Sequence, residues 1–346
     1  MYKQTITFGD VLLEPQYSNI TSRKEISLAV PLDAVLQLDI PIIASPMDTV
    51  SEWEMAVSMS KLGGMAVIHR YNSIEEQAEQ VKKTLKQINK SDSPNMCIVG
   101  AAIGVNGDFI ERAVECYETG ADVICIDIAH GDHSLMEEAI NTLRGAMGTD
   151  VHIMAGNVAT LEGFNRLADR GADSIRVGVG GGSICSTRIQ TGHGIPTLQS
   201  VIDCAKTDRD VLIIADGGIK NSGDIVKALA AGADTVMLGS LLAGTDETPN
   251  ETFRDRDGRC FKAYRGMASA AAQKAWRGKV SSLEGVSTTI PCKGSVDNIV
   301  EELLIGVRSG LSYSGSRNIP ELQSKAKFVL QSHAASIESG THILRR

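Results

Sequence analysis

Short apolar runs alternate with longer amphipathic segments through most of this chain. Eight such runs occupy residues 40–45, 64–69, 96–100, 123–127, 151–155, 174–178, 211–215 and 235–239. Each is continuously apolar and bounded by turn residues, the signature of parallel strands buried on both faces. Between them, residues 109–118, 161–170 and 223–231 carry helical periodicity. The tripeptide Gly-Ala-Asp recurs at Gly120, Gly171 and Gly232, each time between a helix and the next strand. Glycine there ends a helix in a left-handed turn. Eight βα units in about 250 residues predict a (β/α)8 TIM barrel, with residues 1–346 as one catalytic domain. A doubly wound open sheet is the alternative, and eight similar strands in a row favour closure.

Two regions depart from the simple repeat. The first 38 residues precede the first strand, and residues 241–295 separate the eighth strand from a helix starting near Val296. An insertion after a barrel strand's C-terminal end lies on the catalytic face. With Gly266, Gly278 and Gly285, this one reads as a mobile flap. Residues 90–94 (KSDSP) are the most linker-like segment, and the apolar segment at Phe328 to Leu330 needs cover.

Composition narrows the function classes. The 346 residues carry a net charge of -8 with no basic tract, which argues against a nucleic-acid surface. No run is long or apolar enough to span a bilayer, and the start lacks a secretory apolar region. Seven cysteines without a C-x-x-C pair or a Cys/His cluster suggest a reduced, cytoplasmic protein. Cys97 and Cys125 sit in apolar runs and read as core filling.

Barrel sites are assembled from the loops after each strand. The richest is residues 178–196, GVGGGSICSTRIQTGHGIP. Its glycines let backbone approach a ligand, and Cys185 follows them at the catalytic end of a strand, a poor place for core filling. Thr187 either bonds a reacting group or caps the following helix. Asp127 and His130 are either a carboxylate–imidazole pair or turn formers. Asp216-Gly217-Gly218 and Gly239-Ser240 follow strands seven and eight, where barrels bind phosphate through backbone amides. His69, His133 and His193 have no evident partners. Together, the cysteine and the glycine loop point to a purine-nucleotide enzyme.

On these residues the chain resembles the inosine-5′-monophosphate dehydrogenase and GMP reductase family. TFGDVLLEP from Thr7, SPMDTV from Ser45, DGGIKNSGD from Asp216, YRGM from Tyr264 and PCKG from Pro291 are all similar to family motifs. So is the Gly-Ser-Ile-Cys-x-Thr core. The resemblance implies a (β/α)8 barrel, a homotetramer, and a cysteine that attacks C2 of the purine. Only about 25 residues separate Arg70 from Cys97, so the CBS modules of most dehydrogenases are absent. The run from Thr187 to Pro196 is similar to the reductase pattern T-R-x-x-T-G-x-G-x-P. No Arg-Tyr pair, which activates water in the dehydrogenase, lies between Met267 and Glu284. The loops around Met47, His130 and Arg265 resemble the dehydrogenase more closely.

The resemblance therefore implies GMP reductase, with NADPH as cofactor and GMP and IMP as ligands. An IMP dehydrogenase lacking CBS modules, using NAD, is the alternative; a non-catalytic nucleotide-binding barrel is the second. It assigns Cys185 as nucleophile, with Thr187 and Glu284 protonating the departing ammonia. Ser183, Gly217, Gly218, Gly239 and Ser240 would hold the phosphate, with Tyr264 nearby. Asp216 would bind the ribose hydroxyls, and Gly266 and Met267 would lie along the base. Asp127, His130 and Gly131 would line the nicotinamide side. The carbonyls of Gly180, Gly182 and Cys185 match the family's potassium site.

Overall fold

In a computed structural model, residues 3–88 and 97–341 are described. The 90–94 segment and Met96 lie outside them. All eight expected strands form: β1 Ile42–Ala44, β2 Met65–Ile68, β3 Ile98–Ile103, β4 Val123–Asp127, β5 His152–Val158, β6 Ser174–Val177, β7 Leu212–Asp216 and β8 Thr235–Leu238. They pair in parallel in chain order, and β8 returns to β1 with Val236 opposite Ile42. The sheet closes into a (β/α)8 barrel, not an open doubly wound sheet.

Two apolar clusters explain why the strands are mostly apolar on both faces. Ile43, Met65, Val67, Ile98, Val123, Cys125, Met154, Ile214 and Met237 fill the barrel interior. The alternate strand positions pack outward against the helices. Those helices are α1 Trp53–Lys61, α2 Ile74–Ile88, α3 Phe109–Thr119, α4 Ser134–Met147, α5 Leu161–Asp169, α6 Thr187–Thr191, α7 Thr197–Cys204 and α8 Ser222–Ala230. None of the described helices is long and apolar enough to cross a membrane.

The Gly-Ala-Asp repeat has a second role beyond its glycine. Gly120, Gly171 and Gly232 take φ of 111°, 97° and 111°, as a left-handed helix end requires. Each aspartate then staples its strand to the one before. Asp122 accepts from the Val99 amide (2.9 Å), Asp173 from Ile153 (2.6 Å) and Asp234 from Ile213 (2.8 Å). In return, each aspartate amide donates to that same residue's carbonyl at 2.9 Å. The repeat thus fixes the register of β3–β4, β5–β6 and β7–β8.

The irregular ends have structural work of their own. Val30–Pro31 pairs with Gln37–Leu38, and Leu32 and Leu38 join the interior cluster as a plug in the mouth opposite the strand C-termini. His152, at the start of β5, bonds Asp33 (3.3 Å) and Ser174 (2.9 Å) there. Val11–Leu13 pairs with Phe328–Leu330 and so covers part of that terminal segment, although Leu330 stays exposed.

After β8 the chain builds a three-stranded antiparallel sheet: β9 Phe253–Arg254, β10 Cys260–Arg265 and β11 Ser287–Pro291. The lid between β10 and β11 carries α9, Ala270–Arg277. Helix α10, Val296–Tyr313, follows as expected. The buried Lys262 ammonium anchors β10 by donating to the carbonyls of Thr245 (3.0 Å), Asp246 (3.0 Å) and Thr248 (2.8 Å).

Burial pushes the Asp234 carboxyl up to about 6 from 3.8. A carboxyl whose folded-state pKa exceeds its unfolded one is costless below pH ~4 and costs stability progressively as pH rises to about 6. That cost is about 3 kcal/mol above this window. Asp234→Asn keeps an acceptor for the Ile213 amide and carries no charge. Urea unfolding should show its stability relative to the native chain rising between pH 4 and 7; parallel curves would contradict this account.

Candidate active site

The C-terminal ends of the strands and the lid enclose a cavity of about 470 Å³. Cys185 enters it from the loop after β6. That loop needs a glycine at 178, where φ is 149° and an added Cβ would sit 2.0 Å from the Asp216 carbonyl. The lid's returning strand is zipped onto the cysteine loop. The Val286 amide donates to the Ile184 carbonyl (3.0 Å), and the Ser186 amide donates to the Glu284 carbonyl (3.1 Å). The Ser186 hydroxyl adds a bond to the Leu283 carbonyl at 2.8 Å.

This zipper brings three side chains into a row. The Cys185 thiol donates to Thr187 Oγ1 (3.1 Å), and the Thr187 hydroxyl donates to Glu284 Oε2 (2.9 Å). Ser282 donates to the other Glu284 oxygen at 3.3 Å. Thr187 therefore faces the carboxylate; it is the first residue of α6, whose N-cap is Ser186, and does not cap it. Gln273 on α9 fixes the approach to Glu284, donating to the Ser282 carbonyl (2.7 Å) and accepting from the Ser281 amide (2.9 Å).

Beneath the cavity lies a buried charge cluster. Arg176, from the middle of apolar β6, donates to Asp127 Oδ1 (2.7 Å) and to Asp216 Oδ2 (2.9 Å). Burial works against its charge, but the two carboxylates outweigh it and hold the guanidinium pKa well above its ordinary value. Asn157 donates to the same Asp216 oxygen at 2.8 Å. Asp127 thus pairs with Arg176, and the carboxylate–imidazole pair with His130 does not form. His130 is exposed. The Gly131 amide donates to the Asn157 carbonyl at 2.7 Å, and neither His130 nor Gly131 lines the cavity.

The remaining expected residues converge. Ser183, Gly217, Gly218, Gly239, Ser240, Tyr264, Gly266 and Met267 line the cavity together with Gly180 and Gly182. Ser183 Oγ lies 3.3 Å from the Tyr264 hydroxyl. Burial raises the Tyr264 phenol, against its bonds with Ser183 and Ser240, so it remains a donor. The Asp48 amide donates to the Met267 sulfur (3.3 Å), and the Tyr71 hydroxyl donates to the Met267 carbonyl (2.8 Å). On the lid side Tyr71 stacks on Trp276 at 4.2 Å, and the Arg277 guanidinium covers Trp276 at 4.0 Å.

Three buried polar atoms on the cavity wall, Ser45 Oγ, Arg70 Nε and Asn157 Oδ1, have no hydrogen-bond partner. Buried polar groups are almost always paired. A polar ligand in the cavity would supply partners for them.

The histidines without evident partners do have them. His69 bonds Glu52 at 3.0 Å, and its other nitrogen accepts from the Tyr71 amide at 3.1 Å. His133 caps α4 by accepting from Leu135, and His193 bonds the Thr191 carbonyl. Cys125 is buried and pushed up to about 11, so it is an inert core thiol; Cys97 is only half-buried.

Residues 5–342 match the model of the IMP dehydrogenase / GMP reductase domain. The chain belongs to that family. The inosine-5′-monophosphate dehydrogenase of Nitrosopumilus maritimus is 36% identical, with 99% of this chain and 98% of that protein covered. Its alignment spans 473 positions, so that relative carries inserted sequence this chain lacks. The GMP reductase of Leishmania major is 34% identical, covering 97% and 96%. A crystal structure of a GMP reductase variant from Trypanosoma brucei, in complex with guanosine 5′-monophosphate, superposes with a TM-score of 0.90. It is 32% identical and covers 99% of this chain and 98% of that one. The protein is an oxidoreductase of this family, whose members use a nicotinamide cofactor.

The sequence reading passed over Arg176, Arg70 and Gln273. An arginine inside an apolar parallel strand was the available signal for the first. Arg176→Leu should leave Asp127 and Asp216 facing each other uncompensated, at a cost of about 3–5 kcal/mol. Arg176→Lys should lose less. Denaturant unfolding of both variants checks this, and a Leu variant as stable as the native chain would contradict it.

Proposed function

We propose that this oxidoreductase is a GMP reductase, converting GMP to IMP and ammonia with NADPH. The row Cys185–Thr187–Glu284 carries the proposal. The Cys185 thiol releases its proton through Thr187 toward Glu284 and attacks C2 of the guanine ring. The same pair returns a proton to the exocyclic amine, which leaves as ammonia. Such acid–base work is worth roughly two to four powers of ten. NADPH supplies the hydride to C2 when bound. Cys185 then departs as thiolate, and IMP is released.

The surrounding residues support a nucleotide in the cavity. Gly217 and Gly218, both with positive φ, and Gly239 present a glycine-rich rim for the phosphate, with Ser183, Ser240 and Tyr264 beside it. Asp216, fixed by Arg176 and Asn157, offers acceptors to the ribose hydroxyls. Gly266 and Met267 flank the base. Asp127 lies toward the nicotinamide, with His130 and Gly131 outside the cavity on the same loop. The orphaned Arg70 Nε and Asn157 Oδ1 fit a cofactor carrying both donors and acceptors. The carbonyls of Gly180, Gly182 and Cys185 fit potassium by their all-oxygen chemistry; that of Gly182 already accepts from the Cys185 amide at 3.2 Å. We also propose a homotetramer, which light scattering checks.

A dehydrogenase reading rests on the IMP dehydrogenase relative, which is 36% identical against 34% for the GMP reductase. It requires an activated water to hydrolyse the adduct. The lid's Arg277 guanidinium lies over Trp276, and no tyrosine lies between Met267 and Glu284. A non-catalytic barrel has no use for the thiol–hydroxyl–carboxylate row.

NADPH consumption with GMP, compared with XMP formation from IMP and NAD, separates these readings. The native chain should turn over GMP, and Cys185→Ala should retain less than about one per cent of that rate while still binding nucleotide. XMP formation without GMP-dependent NADPH consumption would overturn the proposal.

A further inference from the structure

Cys260 begins β10, and Cys292 directly follows β11. The register pairs Phe261 with Pro291, so the two cysteines face each other one step further along. The Cys292 amide donates to the Cys260 carbonyl at 2.9 Å. Facing residues of a hydrogen-bonded antiparallel pair hold their Cα atoms about 5.5 Å apart. A disulfide spans roughly 4.4–6.8 Å between Cα atoms. Both cysteines are free and half-buried, unlike the fully buried Cys116, Cys125 and Cys204.

Their position gives the contact a consequence. β10 leads into the lid and β11 leads out of it. The segment between the two cysteines carries Tyr264, Met267 and Glu284. We propose that Cys260 and Cys292 form a reversible disulfide that locks the root of the lid in the presence of a low-molecular-weight disulfide.

The exchange balances with oxidised glutathione. The Cys292 thiolate attacks one glutathione sulfur, forming a mixed disulfide and releasing one glutathione. The Cys260 thiolate attacks the Cys292 sulfur, forming the protein disulfide and releasing the second glutathione. The protein thiols give up two electrons, which reduce the glutathione disulfide, and their two protons end on the released thiols. Opposed side chains in such a pair stand slightly too far apart for an unstrained bond. Cys292 lies past the end of its strand and moves to close the gap. A strained bond is readily reduced, which makes the lock reversible rather than permanent. Burial, and then the neighbouring Cys260 thiol, raise the Cys292 pKa. The exchange should therefore speed up with rising pH.

The test uses the full chain carrying Cys185→Ala, which keeps oxidant off the cavity thiol, so its outcome is independent of the proposed reaction. After incubation with oxidised glutathione, non-reducing peptide mapping should join Cys260 to Cys292, and dithiothreitol should reverse the link. Tryptic cleavage at Arg277 and Lys279 should slow several-fold in the oxidised chain, because closing the loop suppresses local opening. Adding Cys292→Ser should abolish both effects. Separate glutathione adducts on the two cysteines, thiols that both remain alkylatable, or a link that leaves cleavage unchanged would each overturn the lock.

Discussion

The site depends on one backbone constraint: the pairing of the cysteine loop with the strand returning from the lid. The loop after β6 and the segment before β11 are far apart in sequence. Two amide–carbonyl bonds, between Ile184 and Val286 and between Ser186 and Glu284, hold them edge to edge. Without that pairing the barrel would present a thiol and a hydroxyl, and the carboxylate would be elsewhere. The isolated bridge of Cys185 to Gly285 puts the cysteine itself at the seam. A lid that opens therefore does more than admit ligand. Opening it would part Glu284 from Thr187, and closing it would bring them back together.

The fixed half of the cavity rests on electrostatics instead. Arg176 is buried, and its charge is sustained only because Asp127 and Asp216 flank it. In turn its hydrogen bonds hold both carboxylates in place beneath the cavity. Removing one member of such a cluster leaves an uncompensated buried charge. The barrel supplies rigidity here, since all three residues sit in or at the end of β4, β6 and β7. The site is thus a charged floor built on barrel strands, facing a thiol–hydroxyl–carboxylate row held by the lid.

The barrel was legible because its strands are buried on both faces, and continuous apolar runs are a strong signal. The cavity glycines and Cys185 were legible for a different reason: such a loop has no packing purpose. Arg176 escaped notice because it lies inside one of those runs, Ser-Ile-Arg-Val, where the apolar neighbours dominate the pattern. The aspartate of Gly-Ala-Asp was read only through its glycine. Its staple to the preceding strand is a contact between chain segments about 20 residues apart. The plug at the barrel's other mouth is built on two-residue strands, too short for any periodicity to register. The Cys260–Cys292 contact needs the β10–β11 register, which two half-exposed strands do not advertise. The His130 pairing failed because a stronger partner, the Arg176 guanidinium, claims Asp127.

The central claim is that Glu284, reached through Thr187, delivers the proton that lets ammonia leave. Rapid-quench measurement of ammonia release in a single turnover of GMP, with native chain and with Glu284→Gln, tests it most directly. The account expects ammonia release to slow by roughly two to four powers of ten in the variant, with GMP affinity nearly unchanged. Equal release rates in the two proteins, or a loss confined to GMP binding, would contradict it.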